Sequence, residues 1–140
     1  MQRAAQYEKL SGYFNLDNGS GRIRGVYLQG HEALRPLFER WFAPFRDFGV
    51  TTVTIRNMTG TDHLSFTHVG LPAFQFIQDP LDYFPVTHHT NVDTYEHAVP
   101  ADLMQASAVI ASVVHQAPIT QNDCHGGHRQ HASPVTDRLA

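Results

Sequence analysis

The segment FPVTHHTNVDTYEHA, residues 84–98, places two adjacent histidines just ahead of an aspartate. Imidazole and carboxylate groups are both good zinc ligands, and catalytic zinc sites combine such ligands while leaving room for a water molecule. Asp17, at the end of the apolar segment LSGYFNLD, offers a carboxylate elsewhere in the chain. His89 and Asp17 are therefore candidate metal ligands. A ligating imidazole usually donates its second ring N–H to a carboxylate or carbonyl, for which Asp93 and Asp62 are candidates.

Each of these residues also has a purely structural interpretation. Asp17 lies in LDNGSG, and Asp, Asn and Gly are the residues that tight turns require. His88 and His89 are compatible with ordinary loop histidines, and Asp62 with the N-cap of a helix that begins at His63. The spacing alone leaves both interpretations open.

Composition narrows the class of protein. The chain has 140 residues, 41% of them hydrophobic, which suits one domain with a buried core. A net charge of -3 gives no basic field, so we expect neither nucleic acid nor a membrane surface as a partner. The single cysteine, Cys124, cannot form an intrachain disulfide, and no apolar run is long enough to span a bilayer. The first ten residues, MQRAAQYEKL, have no apolar core of the signal-peptide type.

The periodicity of the apolar residues predicts the elements. Alternating or β-branched residues predict strands at residues 10–16, 22–29, 51–56 and 73–78, the last of them central because it carries no charge. Helical spacing predicts an amphipathic helix over residues 34–48, which Pro44 should kink or end. A second helix over residues 100–116, opened by Pro100, is apolar enough to be well buried.

Strands that alternate with helices predict an α/β fold, a three-layer sandwich with a mixed, mostly parallel sheet. Ligands gather beyond the carboxyl ends of the strands in such sheets. Asp17 ends one strand and the histidine segment follows another, so we expect both to face one cleft. Residues 1–117 would form this domain.

Residues 118–140 are predicted to be a flexible, histidine-rich tail, because they lose all periodicity and gather Gly, Pro, Asn and Ser. Cys124, His125, His128 and His131 lie close enough in this tail to gather one metal ion. Their spacing matches no closed zinc module, so a solvated tail is the preferred interpretation.

Four segments carry a family resemblance. They are YFNLDNGSG, GTDHLSF, GLPAFQFIQDPLDY and THHTNVDTYEHAVPADLMQAS. In this order they resemble the C-terminal half of the catalytic domain in the di-metal zinc exopeptidases, the family of aminopeptidase Y, bacterial leucyl aminopeptidase and plasma glutamate carboxypeptidase. The resemblance implies a phosphorylase/hydrolase-like fold and two zinc ions in the complete enzyme. It also implies hydrolysis of terminal peptide bonds by a zinc-activated water.

Carried over by position, the resemblance implies that Asp17 binds one zinc ion and His89 the other. His88 is not implied to bind metal and is expected to pack or hydrogen-bond at the edge of the cleft. Asp62, in the TDH segment, and Asp93 are the expected partners that steady the imidazole of His89. The implied partner is a peptide substrate, and members of the family are often secreted or periplasmic.

Two parts of the family pattern are absent from the sequence. These are the His-x-Asp segment, whose aspartate bridges both zinc ions, and the Glu-Glu pair, which supplies the general base and a further ligand. We therefore expect an incomplete catalytic domain that binds metal weakly and has no peptidase activity alone. Its exposed strand edges and helix faces predict aggregation or a homo-oligomer. The alternatives are a non-catalytic α/β binding module that retains the fold and an unrelated histidine-rich metal-binding domain.

Overall fold

A single mixed sheet organises the protein, whose computed structural model describes residues 10–117. The strands are β1 (Tyr13–Asn15), β2 (Ile23–Tyr27), β3 (Thr52–Thr54) and β4 (Ala73–Gln78), and their order across the sheet is β1-β4-β2-β3. β1 pairs with β4 and β2 with β3 in parallel, whereas β2 and β4 are antiparallel. The prediction of an α/β fold with a mixed sheet is confirmed, and the uncharged strand β4 is internal as expected.

The predicted first helix forms in two parts. Helix α1 (Arg35–Phe42) continues as a 3-10 helix, Ala43–Phe48, so the regular α-helix ends just before Pro44, as its missing N–H requires. Gly49 then stops the helix at φ 82°, where its N–H donates to the Arg46 carbonyl at 2.9 Å. This helix presents Phe38 and Trp41 to the sheet, and both are almost fully buried.

Alternation along the strands creates the two faces of the sheet. Phe14 and Phe74 point towards α1, and the ring of Phe74 lies 4.9 Å from that of Phe38. Tyr13, one residue earlier than Phe14, points to the opposite face and stacks on Phe66 at 4.0 Å. Phe66 belongs to the short helix α2 (His63–Thr67), so helices cover both faces of the sheet.

The last helix, α3 (Pro100–Gln116), forms where the sequence predicts it, but the expectation that it is well buried is wrong. Only Ala106, Val109 and Val113 are buried in it. Leu103 and Met104 are exposed by 49% and 67%. The helix is apolar around most of its circumference, and α1 and β2 cover only one side of it. In the part of the chain that the structure describes, no helix is long and apolar enough to cross a membrane.

Candidate functional site

Asp17 lies in a turn at the carboxyl end of β1. Its side chain is exposed, while its backbone carbonyl accepts a hydrogen bond from the N–H of Gly19 at 3.1 Å. Gly19 has φ 148°, and a Cβ there would lie 2.9 Å from the carbonyl oxygen of Asp79, just after β4. The turn is therefore pressed against the end of β4, and it carries the exposed side chain of Asp17.

The histidine segment reaches the same edge of the sheet. β1 and β4 are neighbouring parallel strands, so their carboxyl ends meet, and β4 leads through a π-helix, Tyr83–Thr87, to His88. The pKa of Tyr83 is raised, first by burial and then by the negative charges of Asp17 and Asp93. The phenol of Tyr83 therefore lies within electrostatic reach of the carboxylates of Asp17 and Asp93.

The two histidines differ in their environments. Their rings stack on each other with centroids 4.0 Å apart, and the ring of His88 also packs 5.0 Å from that of Tyr83. His88 is half-buried, whereas His89 is exposed. His89 also has φ 58°, a left-handed conformation that is unfavourable for a residue with a side chain. His88 thus packs at the edge of the site, and His89 is held outward in a strained backbone.

The two candidate steadying residues, Asp62 and Asp93, are both exposed. Asp62 occupies the N-cap position of α2, but its exposed side chain makes no capping hydrogen bond. Asp93 is exposed as well. Between residues 10 and 117, no hydrogen bond joins either carboxylate to His89. Their assignment as partners of the ligand stays a prediction.

A complete zinc site does not form from the described residues. Within residues 10–117, no three side chains of His, Cys, Asp or Glu come together as a group that could hold a metal ion. Asp17 and His89 have suitable donor atoms, but a catalytic zinc ion takes about three protein ligands. These residues alone therefore do not fit the family's two zinc ions. Cys124, His125, His128 and His131 lie outside the described residues.

A buried polar network beneath the site was not expected from the sequence. Asn15 Nδ2 donates to Gln75 Oε1 at 2.7 Å, and the Thr61 hydroxyl lies 3.2 Å from the same oxygen. The Thr61 hydroxyl also contacts Nδ1 of His63, whose Nε2 lies 3.1 Å from the Met58 carbonyl. Burial lowers the pKa of His63, which favours a neutral imidazole. The network fixes the end of β1, two residues before Asp17, to the interior of β4.

The signal for this network in the sequence is weak. Asn15 is the only amide in β1 and Gln75 is one of two in β4, and the two residues are paired across these parallel strands. Only the register of β1 against β4 brings them together. In the TDH segment, the sequence indicated Asp62, whose carboxylate could accept a hydrogen bond from a ligating imidazole. The structure instead buries His63 of that segment.

A cavity of about 230 Å³ opens beside the turn that follows Asp17. Its walls are mainly apolar and are formed by Asn18, Tyr27, Met58, Phe76, Ile77, Gln78, Pro80 and Phe84. Gln78 Oε1 is buried without a hydrogen-bond partner, although its Nε2 donates to the Gly21 carbonyl at 3.2 Å. The cavity is below the ~300–1,000 Å³ of drug-sized pockets, so it suits a single amino-acid side chain.

The comparison with protein families agrees with this geometry. The model of peptidase family M28 matches residues 1–114, a span that contains Asp17, Tyr83 and the histidine segment. No curated protein and no solved structure matches the chain significantly. The family match covers most of the chain and agrees with the resemblance of its ordered motifs. The chain therefore belongs to peptidase family M28, a family of zinc-dependent metallopeptidases.

Proposed function

We propose that this chain contributes Asp17 and His89 as metal ligands to an exopeptidase site that hydrolyses terminal peptide bonds. The observation that supports the proposal is that Asp17, after β1, and His88, in the segment after β4, both lie near Tyr83. Asp17 and Asp93 both lie near enough to Tyr83 to raise its pKa, and His88 and His89 lie between Tyr83 and Asp93 in the chain. This arrangement supports a carboxylate and an imidazole from separate segments as ligands in the same part of the fold.

The chemistry requires groups beyond these two. Zinc bound in a peptidase polarises the scissile carbonyl and lowers the pKa of a water molecule. Asp17 and His89 each offer one donor group, and further ligands and a general base must come from outside residues 10–117. Tyr83, whose pKa is raised, keeps its proton at neutral pH and can act as a hydrogen-bond donor at the edge of the site.

The cavity beside Asn18 is suited to the substrate side chain next to the scissile bond. Its apolar walls, which include Phe76 and Phe84, favour an uncharged side chain.

A second candidate function is a non-catalytic α/β binding module that has kept the fold. The observation that favours it is that the described residues bring no three potential ligands together. In such a module the cavity beside Asn18 would still bind an apolar side chain, but substitution of His89 would leave that binding unchanged.

Hydrolysis assays of the purified chain test the peptidase proposal. We expect no zinc-dependent turnover of aminoacyl or peptidyl substrates, because two ligands do not hold a catalytic zinc ion. Metal-dependent turnover that Asp17→Ala abolishes would contradict this expectation and would show that the chain builds a complete site. Weak zinc binding that both Asp17→Ala and His89→Ala reduce would support the ligand assignment, and binding that neither changes would refute it.

A further inference from the structure

The loop that carries His89 has little of its own to hold it in place. Residues 89–96 are all exposed, and the nearest buried side chain on the amino-terminal side is Thr87. His88 donates its backbone N–H to the Tyr83 carbonyl at 2.7 Å, and Thr90 donates its hydroxyl to the Val86 carbonyl at 2.7 Å. These bonds fix the start of the loop to the π-helix, but they do not reach Asp93.

One side-chain contact joins the two ends of this loop. The ring Nδ1 of His97, in the 3-10 helix Tyr95–His97, contacts Oδ2 of Asp82, the residue that precedes the π-helix. The backbone carbonyl of Asp82 also accepts hydrogen bonds from the N–H groups of Val86 at 2.9 Å and Thr87 at 3.2 Å. In the described part of the chain, this is the single side-chain hydrogen bond between residues 81–90 and residues 91–99.

The geometry points to a local function for this contact. Both side chains are partly exposed, 29% for His97 and 37% for Asp82, so solvent screens the pair and its contribution to global stability is small. It closes residues 83–96 into a loop, which removes chain entropy from the open state of that segment. The left-handed backbone of His89 persists only if the surrounding structure holds it there.

We propose that Asp82 and His97 are positioning residues that clamp residues 83–96 and so hold His89 and Asp93 on the side of Asp17. The positioning of His89 for metal binding rests on the proposed function. The ordering of residues 83–96 by this contact does not depend on that function. His97 acts here through the position of His89 and touches no substrate.

Residue-resolved amide hydrogen exchange of the metal-free chain tests the clamp. In His97→Leu we expect the hydrogen-bonded amides of His88, Thr90 and Ala98 to exchange about tenfold faster, because the loop opens locally. Amides in β4 should be unchanged. His97→Asn, whose side-chain amide can occupy the position of Nδ1, should restore protection. His115→Leu, a change of an exposed histidine on α3, is the matched control.

Two outcomes would overturn the proposal. Equal exchange in the native chain and in His97→Leu would show that the contact does not order the loop. Faster exchange of β4 as well as the loop in His97→Leu would show a general loss of stability instead of local positioning. A zinc titration of the same variants separates this proposal from the proposed function. If the native chain binds no zinc, the proposed function is refuted. The exchange rates still show whether the contact of Asp82 with His97 orders the loop.

Discussion

His89 combines an exposed imidazole with a backbone conformation that favours glycine. A residue with a Cβ loses roughly 1–2 kcal/mol in this left-handed region relative to its preferred conformations. Strain of this kind is found at functional sites, where the surrounding structure holds the residue in place. The backbone conformation at this position therefore has a cost in stability, while the ring stacks on that of His88.

Glycine at this position should relieve the strain. We predict that the free energy of unfolding of His89→Gly does not fall and rises by up to about 1 kcal/mol, while zinc binding weakens. Urea denaturation measures the first effect and calorimetric titration the second. His88→Gly is the control and should lower stability, because it removes a ring that packs on Tyr83. A clear loss of stability in His89→Gly would refute the interpretation of strain.

His63 should make stability depend on pH. Its folded-state pKa lies below the ordinary value of 6.5, because burial disfavours the charged ring. The unfolded chain then binds the proton more readily than the folded chain, so this contribution is complete above pH 6.5 and is lost as pH falls towards the folded-state pKa. Denaturation curves measured down from neutral pH should show the loss, and His63→Leu should flatten that slope. An equal slope in both proteins would contradict the assignment.

At the scale of the elements, Gln75 connects the end of β1 to the segment before α2. It is fully buried, and its Oε1 accepts from Asn15 and contacts Thr61. The buried amide of Asn15 depends on this single acceptor, so the orientation of the strand end that leads to Asp17 depends on it as well.

Replacing Gln75 should therefore be costly. We predict that Gln75→Leu lowers the free energy of unfolding by about 2–3 kcal/mol, because it leaves Asn15 Nδ2 buried without an acceptor. The double variant Asn15→Leu/Gln75→Leu should lose less than the sum of the two single variants, because it removes both partners together. A change of less than about 0.5 kcal/mol in Gln75→Leu would show that the network is not closed in solution.

The elements themselves could be predicted because their signals are local. The uncharged apolar run AFQFIQ and the helical spacing over residues 34–48 depend only on neighbours in the sequence. The strand forms as expected, and the helix changes to a 3-10 helix near Pro44. The Asn15–Gln75 contact depends on a strand register between residues 60 positions apart, which no local pattern encodes. The contact of Asp82 with His97 joins residues 15 positions apart in a loop, and no periodic pattern in the sequence indicates it either.

At the scale of the whole molecule, the exposed side of α3 is the largest departure from expectation. Met104 lines an apolar cavity of about 400 Å³ together with Phe45, Phe48, Ala101 and Ala108. A helix that is apolar all round is usually covered. The sequence predicts the apolar character of this helix correctly, but which of its sides a neighbour covers depends on the arrangement of the layers.

This surface should cause self-association. We predict that the chain forms dimers or larger species at micromolar concentration and that Met104→Glu shifts it towards monomer, because a charge is costly to bury. Sedimentation velocity over a range of concentrations measures the shift. Tyr95→Glu, at a side chain that is 86% exposed and lies outside α3, is the control and should change nothing. A native chain that stays monomeric throughout would refute the prediction.

The proposed function depends on metal binding by Asp17 and His89 at one edge of the sheet. Its most direct test is the zinc affinity of the purified chain, compared with Asp17→Ala, with His89→Ala and with a chain that ends at Pro118. We predict weak binding that either substitution reduces and that removal of residues 119–140 leaves unchanged. Tight binding that disappears with those residues, and that neither substitution affects, would contradict the account and assign the metal to the tail histidines.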